Sequence, residues 1–85
     1  MWYAVLRREL PIPLTTKKIR AGSIYHVRKY NDQLILCSPV GGESAKQFGD
    51  IKIPTNDART FFTRPTNDFN DAVEESFMQC EANYC

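Results

Sequence analysis

Apolar and polar positions alternate along most of the first two-thirds of this 85-residue chain, then give way to a helical repeat. From Trp2 to Leu10, Ala4, Leu6, Arg8 and Leu10 alternate with Val5, Arg7 and Glu9, which predicts a first strand with one buried face. Pro11 and Pro13 end it, because each lacks a backbone donor, and Lys17-Lys18 follow on an exposed bend. The stretch Ala21 to Pro39 reads as two strands about the turn Asn31-Asp32, two residues that tolerate the positive φ of tight hairpins. Folding there sets Lys29 opposite Leu34, Val27 opposite Leu36 and Tyr25 opposite Ser38 on a mostly apolar face. The other face then pairs Tyr30 with Gln33, Arg28 with Ile35 and His26 with Cys37. Val40 to Asp50 holds three glycines and no periodicity, and is expected to be a loop. Ile51 to Ile53 alternates and stops at Pro54, Asn56 to Arg59 suits a tight helical turn, and Thr60 to Arg64 a closing strand.

Near the end, Phe69, Ala72, Val73, Phe77 and Cys80 recur at helical spacing, predicting an amphipathic helix over about 68–80 with Asp71, Glu74, Glu75 and Gln79 opposite. Pro-Thr-Asn-Asp occurs twice, at Pro54 to Asp57 and Pro65 to Asp68, and reads as two uses of one helix-start chemistry. The expected fold class is therefore mainly β (α+β), a single domain with a β unit over 1–64 and an acidic helix and tail over 65–85 packed on it.

Three features carry a family resemblance: the lead-in Lys18-Ile19-Arg20-Ala21-Gly22 to a long strand, the Asn31-Asp32 hairpin, and Ile53-Pro54-Thr55-Asn56-Asp57-Ala58 before the last strand. On these the region Trp2 to Arg64 resembles SH3-like small β-barrels, which implies a five-stranded barrel with a late helical turn between its last two strands. The peptide-binding type of that barrel carries Ala-Leu-Tyr-Asp-Tyr and a Trp-Trp pair, and neither stands in this sequence. Proline-rich ligands are accordingly not implied. Short chains of this kind also resemble phage-encoded accessory proteins.

Composition narrows the picture. Hydrophobic content of 42% and charged content of 25% are ordinary for a globular protein, so wholesale disorder is not expected. Three cysteines without a Cys-x-x-Cys pair do not suggest a disulfide framework, and a reducing, cytoplasmic setting fits them. The opening MWYAVLRREL has the wrong order for a secretory signal, and no apolar run suits a membrane span. Net charge is +1, yet residues 1–30 hold seven Lys or Arg against one acid, and residues 65–85 hold five acids and no base. Either the halves neutralise each other or each presents a charged surface to a partner.

Candidate chemistry is thin. A metal site would need His26 with Cys37, opposite it across the hairpin, and with Cys80 and Cys85, but these lack the close sequence pairs of structural zinc. No carboxylate stands near His26 in sequence to orient it for nucleophilic catalysis, and the glycines follow no phosphate-loop order. The chain is expected to be non-enzymatic and free of cofactor and metal. The favoured reading is a protein-binding module that engages and modulates or inhibits another macromolecule, such as a host enzyme. Its candidate contacts are His26, Arg28, Tyr30 and Ile35 on the hairpin and Asp71, Glu74 and Glu75 on the helix. The alternative is a small nucleic-acid-binding barrel, in which Arg7, Arg8, Lys17, Lys18, Arg20 and Lys29 track phosphates while Tyr30 stacks on bases.

Overall fold

The computed structural model describes residues 1–12, 14–41 and 49–83. It is an α+β arrangement: a four-stranded antiparallel sheet, a two-stranded ribbon, and a C-terminal helix. The strands are β1 (Tyr3–Val5), β2 (Leu10–Pro11), β3 (Lys18–Ile19), β4 (Ile24–Lys29), β5 (Leu34–Pro39) and β6 (Ile51–Pro54). A 3-10 turn (Thr55–Asp57), a short helix α1 (Ala58–Phe61) and the longer helix α2 (Phe69–Ala82) follow. The main sheet runs β1-β4-β5-β6, and β2 pairs with β3 as a separate ribbon.

The expected first strand and closing strand are both shorter than the alternation suggests. Beyond Leu6 the chain leaves the sheet and turns into the ribbon at Leu10. Thr60 and Phe61 belong to α1, so pairing to β1 begins only at Phe62. From there 62–66 runs antiparallel to β1: Thr63 N–H donates to Val5 O at 2.8 Å, and Tyr3 and Thr66 exchange backbone bonds of 2.7 and 2.8 Å. The two copies of Pro-Thr-Asn-Asp also part company. In the first, Thr55 to Asp57 form the 3-10 turn without a side-chain cap. In the second, Thr66 is extended against Tyr3 and Asp68 caps α2, accepting from Asn70 N–H at 2.9 Å. The loop expected over Val40 to Asp50 falls largely on 42–48, outside the described residues.

The β4–β5 register differs from expectation by one residue. His26 stands opposite Ser38, Val27 opposite Cys37, Arg28 opposite Leu36 and Lys29 opposite Ile35. The turn is three residues, Asn31 to Gln33, closed by Tyr30 and Asn31 N–H groups donating to Leu34 O at 3.0 and 3.2 Å. A two-residue hairpin turn of the primed type demands positive φ, and among the described residues Leu14 is the only non-glycine that adopts it. Asn31 Oδ1 instead accepts from the N–H groups of Gln33 and Leu34, both at 2.8 Å, an Asx-type turn.

With this register, Ala4, Tyr25, Val27, Cys37, Ile35, Ile51 and Ile53 share the sheet's inward side. Ile19 of the ribbon, Leu6 and Phe62 complete the core cluster there. Tyr25 and Cys37 are fully buried, and the Tyr25 ring meets Phe62 edge-on at 5.6 Å. Cys37 is a free thiol, whereas Cys80 is disulfide-bonded, which corrects the expectation of three unbridged cysteines.

The outer side is covered over β1 alone and the start of β4. There Val5 is 1% exposed beneath α2, Ala72 of the helix is fully buried, and the Phe69 ring lies 5.3 Å from that of Tyr3. The helix is rotated from its expected orientation: Val73, Ser76, Gln79 and Cys80 are half-buried, while Phe77 is 70% and Phe69 43% exposed. Gly22 explains the rotation. Its φ is +92°, and a Cβ there would stand 3.0 Å from the Ser76 carbonyl oxygen and 3.3 Å from Cys80 Cβ. The Ser76 hydroxyl donates to the Gly22 carbonyl, so Ser76 and Cys80 are drawn to the turn in place of Phe77.

Gly22→Ala is expected to lower stability by about 1–3 kcal/mol, from a left-handed φ and a tight contact; chemical denaturation checks this. Asn31→Ala is expected to cost about 1 kcal/mol, since two backbone donors lose their acceptor, measured as a shift of the denaturant midpoint.

Candidate binding face of the hairpin

Where α2 stops, the outer side of β4, β5 and β6 is open among the described residues. Strand alternation puts His26 and Arg28 of β4, and Tyr30 just beyond it, on this side with Leu34 and Leu36 of β5, and pairing brings Lys52 beside Leu36 and Pro54 beside Leu34. Two cross-strand rows result, Arg28-Leu36-Lys52 and Tyr30-Leu34-Pro54. Tyr30 is 52% exposed, and Lys52 Nζ sits 4.2 Å from its ring centroid. A cation over an exposed ring is worth about 0.5–1 kcal/mol, enough to orient both side chains. Leu34 and Leu36 are half-buried beneath them. Tyr and Arg are residue types that dominate protein interfaces, and Leu34 and Leu36 set them on an apolar bed. Lys52 is the polar position of the Ile51 to Ile53 alternation, but only the β5–β6 register brings it to Tyr30.

Of the residues expected on this face, Arg28 and Tyr30 are there and exposed. His26 is there but half-buried at the boundary with the helix, its ring 4.7 Å from that of Tyr3 and its Nδ1 buried without a protein partner. Ile35 is not there. The longer turn carries it, with Cys37, to the inward side, and so His26 and Cys37 do not oppose each other as a metal pair would require. Among the described residues no group of three His, Cys, Asp or Glu side chains stands close enough to hold a metal.

On α2, Asp71 and Glu74 are exposed and Glu75 is half-buried, its Oε1 accepting from Gln79 Nε2 at 2.9 Å. The basic residues of the phosphate-tracking alternative are not assembled around Tyr30. Lys18 pairs with Glu9 at 3.5 Å, and Lys29, on the opposite side of β4 from Tyr30, pairs with Asp32 at 3.1 Å. Arg7 donates from Nη1 to the Arg59 carbonyl at 2.7 Å. Arg8, Lys17 and Arg20 are exposed on the ribbon and its approaches. The described ion pairs are thus local, and none at 4 Å joins the basic N-terminal part to the acidic helix. Among the described residues, no helix is long and apolar enough to cross a membrane.

The groups with displaced acidities lie in the core. Burial pushes the Cys37 thiol up to about 12, and burial, then the neighbouring Cys37, pushes the Tyr25 phenol up to about 12. A thiol held protonated is a poor nucleophile at neutral pH, and Cys37 packs as a small apolar side chain. No protein-family model, curated protein or solved structure matches this chain.

Both acids bind their protons more tightly folded than unfolded, so their contribution is fully present below about pH 9 and is lost as pH rises toward 12. The denaturant midpoint is expected to fall steadily from pH 9 to pH 11. In Cys37→Ala it should start lower and fall less steeply over the same range; a wild-type midpoint independent of pH there contradicts the assignment.

Proposed function

We propose that this chain is a non-catalytic binding module of SH3-like topology, which engages another protein through the outer face of β4, β5 and β6 and so modulates or inhibits it. The observation that carries the reading is the exposed Arg28, Tyr30 and Lys52 cluster on half-buried Leu34 and Leu36. The topology is supported by the order of pairing. Segment 62–66 lies against β1, then β4, β5 and β6 follow as a meander, with a 3-10 turn before the closing segment. That is five extended segments with a late helical turn, the pattern the sequence resembles.

A protein partner is favoured over nucleic acid for two reasons. Lys52 occupies one face of the Tyr30 ring, where a base would have to stack. The remaining cations lie on other surfaces, and Lys18 and Lys29 are matched by Glu9 and Asp32. The partner face that fits is one of opposite charge with an apolar centre, since complementary charge sets the encounter rate and apolar anchors the residence time.

Replacing Arg28 and Tyr30 together by Ala is expected to reduce partner recovery from an extract of the source cells by at least about tenfold, with stability within about 1 kcal/mol of wild type as usual for exposed positions. Quantitative pull-down with both forms measures it. Equal recovery of the same partner by both forms excludes this face. Tight, steeply salt-dependent binding of oligonucleotides, abolished in the same variant, would assign the face to nucleic acid.

A further inference from the structure

A cleft of about 430 Å³ opens along segment 62–66, lined by inward-side residues of the sheet and by Glu75 and Gln79 of α2, within the size range of sites that take a small ligand or a few peptide residues. Val27, Ile35 and Phe62 give it an apolar floor, and Arg7, Arg59 and Arg64 line it while remaining exposed. The Arg7 guanidinium is held in place by its bond to the Arg59 carbonyl, 2.7 Å long. Among the described residues none of the three arginines has a carboxylate within 4 Å, since the ion pairs are Lys18–Glu9 and Lys29–Asp32. Glu75 is the one acid on the wall, and its carboxylate is engaged by the Gln79 amide. Three arginines and, among the described residues, one acid therefore line an apolar bed.

We propose that this cleft binds an acidic peptide segment bearing a large aliphatic side chain. Carboxylates of the segment meet Arg59 and Arg64, whose planar forks suit bidentate pairing, and the aliphatic group rests on Val27 and Ile35. Charge complementarity selects the occupant, and the burial of Phe62 separates it from a nucleic acid. Phe62 is only 3% exposed and offers no ring face for stacking. The cleft is independent of the proposed hairpin face, because Val27 and Ile35 alternate with Arg28 and Leu36 and point to the other side of the sheet.

The test is fluorescence anisotropy on the full 85-residue chain at low salt, with a fluorescein-labelled Glu-Glu-Leu-Glu-Glu peptide as probe. Saturable binding is expected. It should weaken at least about tenfold in Arg59→Glu/Arg64→Glu, weaken several-fold when the peptide's Leu becomes Ser, tighten in Glu75→Gln, and stay within about twofold in Arg28→Ala/Tyr30→Ala. The charge-reversed variant keeps the Arg59 carbonyl that holds Arg7, and an unchanged circular dichroism spectrum and denaturant midpoint verify its fold. Absence of saturable binding, equal binding by the charge-reversed variant, or tighter binding of a single-stranded oligonucleotide than of the peptide each overturns the proposal.

Discussion

The Asn31 amide oxygen closes the β4–β5 reversal by accepting from two successive backbone N–H groups, and this holds the turn at three residues. Side chains on a strand alternate with a period of two, so turn length sets the parity of the whole second strand. With three residues in the turn, Ile35 and Cys37 fall on the inward side and Leu34 and Leu36 on the outer. With two, Cys37 would sit opposite His26 at the edge of the helix interface and the core would lose a fully buried side chain. Packing and turn chemistry therefore agree on one register. Both surfaces discussed above follow from it, one built over Leu34 and Leu36 and the other over Ile35.

β1 is where the two layers meet. Ala4 and Leu6 point into the inward core, Val5 lies under α2, and all three are at most 2% exposed. The closing segment lies along its free edge, which spares β1 the open row of donors and acceptors that makes edge strands prone to pairing with other chains. The helix reaches only as far as Gly22 and the start of β4 allow. Its seat is short because it depends on a glycine that admits Ser76 and Cys80 at close range. A longer helix contact would have covered Leu34 and Leu36; this one leaves them under Tyr30 and Lys52. In a chain this small, each large apolar side chain matters to the core. Exposed Tyr30, Phe77 and Met78 are therefore side chains the core does without.

Much of this was legible in the sequence. The alternation in Ala21 to Pro39 and in Ile51 to Ile53 marks β4, β5 and β6, and the periodicity after Asp68 marks α2 to within two residues. The exposure of Arg28 and Tyr30 follows from position near a turn. The register does not, because Asn and Asp serve equally in a two-residue turn through positive φ and in a longer one through side-chain bonds, and only the assembled core distinguishes them. The rotation of α2 was hidden for a related reason. Helical spacing makes the stripe through Phe69, Val73 and Phe77 as apolar as the one through Ala72, Val73, Ser76 and Cys80, and what decides between them is a turn some fifty residues away in sequence. The cleft was out of reach altogether, since its arginines come from three separate segments, Arg7, Arg59 and Arg64.

The uneven charge along the chain now has a spatial meaning. Had the halves neutralised each other, carboxylates of α2 would stand within ion-pair distance of the N-terminal bases. The described pairs are instead Lys18 with Glu9 and Lys29 with Asp32, close in space and low in worth at such exposure. Asp71, Glu74 and Glu81 remain exposed on α2, and Arg28 and Lys52 on β4 and β6. Exposed charges of either sign set up a field that acts on a charged partner as it approaches. A charged partner is turned as it approaches and arrives on the surface of opposite sign more often than chance allows. Interior bases or a fully paired surface would have served stability as well. In the proposed reading, exposed Arg28 and Tyr30 over half-buried Leu34 and Leu36 are what such a steered partner would meet.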